Sequence, residues 1–343
     1  MSFIQFGTDD SVISSEVITA PAWSGYSYTI TSSYTSSIQQ VSSVSGKFYL
    51  NVFNIPYDAS GSEVQFAIAY GHISGSGSLL FNNTVDEKSP TRDVYGQYRN
   101  LVYGDENSLF NFGGSNGISR DIFVVNVNRT RYKESINPGT WGLTLSSSGY
   151  TINLTDDSKD SSITNFIGGN RVYNIVSGSL GHSYNSSSIQ TNSGSYGLFF
   201  PDMGIFVFNP RALSLGYSDK GISFTVNETA ASTYSYGYNI NNATFYKSIA
   251  DAQSFSARSQ ETISARYFFV TAKSSQLNYT SNPSIIDNNG NILFSTLIDN
   301  PKVYPTTIGL YNDTGELLAV AKLSKPLPKD FTKQINCRVK IEF

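Results

Sequence analysis

The chain reads as mainly β, with antiparallel, sandwich-like sheets and one short α-helix arranged as two β domains. Three observations predict this. Residues 334–343 alternate strictly, with Ile335, Cys337, Val339, Ile341 and Phe343 on one face and Gln334, Asn336, Arg338, Lys340 and Glu342 on the other, the period of a half-buried strand. Residues 307–311 and 317–321 are apolar runs around Asn312-Asp313-Thr314-Gly315, a hairpin signature with glycine where the turn needs positive φ. Charged residues make up only 14% of the chain, against about 25% in ordinary soluble domains. Ser, Thr, Asn, Gly and Tyr take their place, which suits a β surface.

At 343 residues the chain exceeds the size at which one core usually keeps growing, and its 23 Tyr and 22 Phe offer ample area to bury. Residues 1–45, rich in Ser and Thr with isolated apolar positions, are expected to form an arm or early strand that needs a neighbour to order it. A first β domain is expected over 46–215. Strands are predicted there at 47–55, 63–72, 121–128, 141–145, 150–154 and 171–177, and residues 196–209 read as two apolar runs around Pro201-Asp202. The helix is predicted at 89–104. Ser89 caps its first turn, Pro90 fits the first helical position, Val94, Tyr98, Leu101 and Val102 make one stripe, and Gly104 ends it in the left-handed conformation. Arg92, Gln97 and Arg99 then face outward or toward a partner. Composition shifts near residue 215, and 214–246 is weakly periodic. The second β domain, 216–343, is expected to carry strands at 263–271 and 276–280, a hairpin over 285–294 built on Asn289-Gly290, and the C-terminal hairpin and terminal strand.

The chemistry-bearing residues form no convincing constellation. Gly113-Gly114-Ser115-Asn116-Gly117 matches the nucleophile-elbow pattern, but a strand comes next where that motif needs a helix, so a glycine-rich turn is expected. The two histidines, His72 and His182, lie beside glycine, away from paired acids in sequence, and without Cys or a spaced His partner for zinc. Acidic residues gather at Asp9-Asp10, Asp86-Glu87 and Asp156–Asp160. The last could make a loose calcium loop, yet it lacks the EF-hand spacing, and a solvated turn is the expectation. Adjacent turn aspartates also lack the geometry of a glycosidase pair. Gly75-Ser76-Gly77-Ser78 has neither the Lys nor the helix of a phosphate cradle. No residue is therefore assigned a catalytic, cofactor-binding or metal-binding role, and no cofactor is expected.

A net charge of −3 gives no footprint for phosphate backbones, so no nucleic-acid partner is expected. The N-terminal residues lack a basic region and a long apolar run, and no segment approaches bilayer-spanning length, so neither a secretory signal nor a membrane partner is expected. The single Cys337 reads as a small hydrophobe on the buried face of the last strand. Tyr26, Tyr28, Tyr34, Tyr234, Tyr236 and Tyr238 sit in weakly periodic, Ser-rich segments, where rigid rings suit protein contact first and glycan contact less.

Residues 89–101 (Ser-Pro-Thr-Arg-Asp-Val-Tyr-Gly-Gln-Tyr-Arg-Asn-Leu), the run 121–134 with Asn137-Pro138-Gly139-Thr140-Trp141, and the C-terminal stretch from Pro305 through Leu317-Leu318-Ala319-Val320-Ala321-Lys322-Leu323 to Phe343 together resemble virion structural proteins of contractile-tailed phages, especially cyanophages. The resemblance implies a non-enzymatic component of the tail or baseplate region, located in the virion. It also implies assembly as a homo-oligomer in a symmetric ring with other virion proteins. Two alternatives stay open: a capsid decoration or neck connector protein, and a receptor or glycan-binding virion protein.

Overall fold

A computed structural model describes residues 4–35, 49–75, 90–147, 149–160, 164–184, 193–215, 240–279 and 282–343. In chain order its longer strands are β1 (Ser11–Pro21), β2 (Tyr49–Phe53), β3 (Val64–His72), β4 (Asp121–Val127), β5 (Gly142–Ser147), β6 (Tyr150–Asp156), β7 (Asn170–Ser179), β8 (Gly197–Phe200), β9 (Ile205–Phe208), β10 (Arg258–Ala272), β11 (Thr307–Tyr311), β12 (Leu317–Lys322) and β13 (Ile335–Glu342). The helices are α1 (Pro90–Tyr103), α2 (Pro210–Leu215), α3 (Ile240–Ala252) and α4 (Thr296–Asp299). The protein is mainly β and its strand pairs are antiparallel, as the patterning indicated.

The chain divides into two units, Ile18–Glu261, and Met1–Val17 with Thr262–Phe343. Composition points instead to a boundary near residue 215 and sets residues 1–45 apart as an arm. Both observed breaks fall inside long strands, β1 and β10. No loop or change of composition marks them, which is why a composition shift pointed elsewhere.

The larger unit is built on one curled sheet with the central order β5-β6-β7-β8-β9-β4-β3-β2. Its middle strands are buried on both faces, which explains why Ile122–Val125, Leu198–Phe200 and Ile205–Phe208 read as unbroken apolar runs. Ile122, Val124, Leu198, Phe200 and Val207 share one face with Tyr95, Tyr98 and Val102 of α1. Phe123, Val125, Phe199, Phe206 and Phe208 share the other with Trp141, and with Phe245 and Ile249 of α3. Phe199 and Phe206 stack at 4.6 Å, and Phe123 stacks on Phe245 at 4.6 Å.

Helix α1 runs Pro90–Tyr103 and ends at Gly104, whose φ is 67° and whose N–H donates to the Asn100 carbonyl, as the sequence indicated. Its expected cap, Ser89, lies outside the described residues. The buried stripe is Thr91, Tyr95, Tyr98 and Val102, so Leu101 turns outward. Tyr95 takes the core position because its hydroxyl is satisfied there, donating to the Ser119 carbonyl at 2.9 Å and accepting from the Phe110 N–H. The helix also approaches β3 closely, since a Cβ on Gly71 would lie 2.8 Å from the Tyr95 nitrogen.

Among the described residues the expected helix is joined by α2, α3 and α4, and α3 lacks an apolar period because its buried stripe, Asn241, Asn242, Phe245, Ser248 and Ile249, is polar at three positions. Residues 276–279 are irregular in place of a strand, following a turn closed by the Gln276 N–H donating to the Lys273 carbonyl. The 285–294 hairpin is kept in short form, with an antiparallel bridge between Ile286 and Ile292, Gly290 at φ 84°, and the Asp287 carboxylate accepting from the Asn289 and Asn291 N–H groups in the turn.

Candidate assembly surface

The smaller unit folds with little apolar interior. Among its described residues the buried apolar ones are Ala265, Leu310 and Val339. In β13 the alternation read from sequence holds, with Ile335, Cys337, Val339 and Ile341 turned inward and Asn336, Arg338, Lys340 and Glu342 outward. Burial pushes the Cys337 thiol above its ordinary value, in keeping with a packed hydrophobe. β13 pairs with β10 through eight registered positions, from Ala265 opposite Glu342 to Ala272 opposite Ile335.

Two polar clusters tie the strands and turns of this unit together, one at the surface around Glu16 and one buried around Lys329. The Lys340 ammonium reaches Glu16 at 2.5 Å and Glu342 at 2.6 Å, while the Tyr267 hydroxyl donates to Glu16. The Lys340 hydrogen bond, reinforced by Tyr267, holds the Glu16 carboxyl below its usual value, and the same carboxylate raises the Lys340 ammonium. Arg338 lies over the Tyr267 ring, 5.2 Å from its centroid. Lys329, only 1% exposed, donates from Nζ to the Ser274 carbonyl at 3.0 Å, Asn278 Oδ1 at 2.8 Å and the Asp330 carbonyl at 3.1 Å.

The β11–β12 hairpin is a two-stranded sheet by itself. Its turn closes as expected, with Gly315 at φ 82° and Asn312 exchanging hydrogen bonds with Glu316. Ile308, Leu310, Ala319 and Ala321 make the more buried face. The opposite face exposes Tyr311, Leu317 (52% exposed) and Val320 (59%), with Leu318 (68%) at a bulge in the ladder. The Tyr311 ring lies where a Cβ on Gly309 would stand, 2.8 Å away, so glycine there lets the ring lie flat on the strand. A hairpin of two strands is marginal in water without a further surface to cover it. Phe294, Ile298, Tyr304, Phe331 and Phe343 add exposed apolar area to the same unit. This is a high density of exposed apolar side chains for a unit with three buried apolar residues among those described.

The residues weighed for chemistry lie in separate parts of the fold. Gly113-Gly114-Ser115-Asn116-Gly117 links two short paired strands, Phe110–Asn111 and Ile118–Ser119, as expected of a turn. Gly117 is required there, because a Cβ would sit 1.6 Å from the Gly113 carbonyl oxygen. His72 is buried at the end of β3, its Nδ1 3.2 Å from the Ser74 nitrogen. His182, remote from acids in sequence, meets Asp160 in space at 3.0 Å. Burial pushes the Asp160 carboxyl up, and the Ser183 N–H with the His182 ring more than offsets this and holds it below its usual value.

The turn expected at Asp156–Asp160 is present but only its far end is solvated, with Lys159 and Asp160 exposed, Asp157 half-buried and Asp156 buried. Asp156 is fully buried and accepts from the Gly139 N–H at 2.8 and 3.0 Å and from the Ser158 N–H at 3.0 Å. Asp157 accepts from Asn174 through both its backbone N–H and its side-chain amide, at 3.0 and 2.8 Å. Burial raises both carboxyls against these donors. The three carboxylates point to different parts of the fold, and no group of three metal-capable side chains occurs among the described residues. Asp86-Glu87 and Ser76-Gly77-Ser78 lie outside the described residues, as do Tyr234, Tyr236 and Tyr238. Tyr26 is 90% exposed, and Tyr28 packs under the Arg258 guanidinium at 4.6 Å. No helix among the described residues is long and apolar enough to cross a membrane.

Comparison of the chain with protein-family profiles, with curated proteins and with solved structures finds no match.

Proposed function

We propose that this chain is a non-enzymatic structural component of a tailed-phage virion, in the tail or baseplate region. It acts by multimeric assembly, in a symmetric ring with copies of itself and against other virion proteins. The observation that carries the assembly reading is the smaller unit, which exposes many large apolar side chains while only Ala265, Leu310 and Val339 are buried among its described apolar residues. Covering that surface removes apolar area from water at about 25 cal/mol per Å², and a stable contact of the usual kind buries roughly 1,600 Å². The virion setting rests on the resemblance carried by residues 89–101, 121–141 and 305–343.

The test is to label the chain in phage particles and locate the label by electron microscopy. A ring of labels on the tail axis is the expected result. Labels repeated over the shell would support a capsid decoration role instead, and particles lacking the chain altogether would overturn the reading.

A further inference from the structure

We propose that two copies of this chain pair through the outer edge of β12, antiparallel about a two-fold axis, to form one four-stranded sheet from two β11–β12 hairpins. The inference rests on the assembly reading and names one of its contacts. It begins from the direction of the backbone groups. Leu323 N–H donates to the Thr306 carbonyl at 2.8 Å, and the ladder continues with Thr307 opposite Lys322, Ile308 opposite Ala321, Gly309 opposite Val320 and Leu310 opposite Ala319. Alternation in an antiparallel pair then turns the N–H and C=O groups of Ala319 and Ala321 toward β11. Those of Val320 and Lys322 face outward, and Leu318 is the extra residue of the bulge that follows. No strand pairs with that edge among the described residues.

Charge decides how the edge is met. The turn end of the hairpin carries Asp313 and Glu316, and the far end carries Lys322 and Lys325. Antiparallel pairing about an axis at Ala319 sets Leu318 of each copy opposite Val320 of the other, so two apolar cross-strand pairs form. It also lays the acidic turn end of each copy beside the lysine end of its mate. Adding β12 of one copy to β11 of the next, head to tail, would instead bring the turns together, with Asp313 and Glu316 of neighbouring copies side by side. Like charges so placed oppose that arrangement. The outer face of Tyr311, Leu317 and Val320 becomes continuous across the pair.

The last strand of the other sheet behaves differently. β13 also lies at the end of its strand order, but it carries Arg338 and Lys340, charges of the kind that discourage edge pairing. β12 has a single charged residue, Lys322, at its end. A two-fold contact closes on itself and joins copies in pairs, leaving the remaining apolar surface of the unit for other contacts.

The test is sedimentation equilibrium of the full chain and three variants. Val320→Pro removes an outward N–H that the hairpin itself does not use, and should weaken dimer formation at least about tenfold. Lys322→Glu places like charges at both ends of the pairing and should weaken it several-fold, more at low salt. Adding Glu316→Lys to Lys322→Glu restores opposite charges and should recover the dimer even if the proline variant disturbs the hairpin. Dimerisation unchanged in both Val320→Pro and Lys322→Glu would overturn this contact while leaving assembly through another surface in place. A wild-type chain that stays monomeric would overturn the contact and self-assembly together.

Discussion

Replacing Asp156 by alanine measures how much of the larger unit hangs on one buried carboxylate. The change leaves the Gly139 and Ser158 N–H groups without their acceptor. Packing is tight, since the Cβ position of Gly139 lies 2.8 Å from both Ser158 Oγ and Lys159 Cε. Each orphaned buried donor costs about 1–3 kcal/mol. Relief of the buried charge returns part of this, so the net loss is about 2–4 kcal/mol. Urea unfolding followed by tryptophan fluorescence reads it directly, because the chain's two tryptophans, Trp23 and Trp141, are buried in this unit. Asp156→Asn keeps the shape without the charge and adds a pH test. Burial raises the folded pKa above the unfolded one, so Asp156 contributes stability that is fully present below the unfolded value and lost as pH rises through the folded one. The wild type therefore gains on Asp156→Asn as pH falls. Asp156→Ala within about 0.5 kcal/mol of wild type, or a gap that narrows on acidification, would refute the reasoning.

Lys329→Met removes three donated hydrogen bonds from the smaller unit and should cost about 2–4 kcal/mol. Faster amide exchange at residues 274–278 and 329–330 is the expected readout. Glu16 behaves oppositely to Asp156. Its folded pKa is depressed by Lys340 and Tyr267, so its contribution is present above the unfolded value and lost as pH falls through the folded one. Glu16→Gln should therefore flatten the acid dependence of the smaller unit, an effect that salt weakens, as pH titration of its unfolding will show. Gly117→Ala drives a Cβ into the Gly113 carbonyl and should lower the melting temperature by several degrees in a thermal scan.

Much of the strand layout was legible because alternation and turn chemistry are local. β11, β12 and β13 came from period-two patterns and one Gly315 turn, and the structure keeps all three. The unbroken runs at 122–125 and 198–208 gave strands too, and it is their burial on both faces that the pattern encodes. Helix α3 was hidden because asparagines and a serine hold positions where periodicity looks for aliphatics. The burial of Asp156 and half-burial of Asp157 left no mark in the sequence because their partners, Gly139 and Asn174, are distant along the chain. The same holds for the Asp160–His182 pair. The division at Glu261/Thr262 left no trace since a strand runs through it. The exposed face of the hairpin was only half legible. Alternation shows which side chains share a face, but which face lacks a cover depends on three-dimensional packing.

The most direct test of the central claim is sedimentation velocity of the intact 37.5 kDa chain over a wide concentration range. Species heavier than one chain, growing with concentration and accompanied by slower amide exchange in β11 and β12, are the result this account requires. A single 37.5 kDa species at every concentration, with the hairpin already fully protected from exchange, would contradict it.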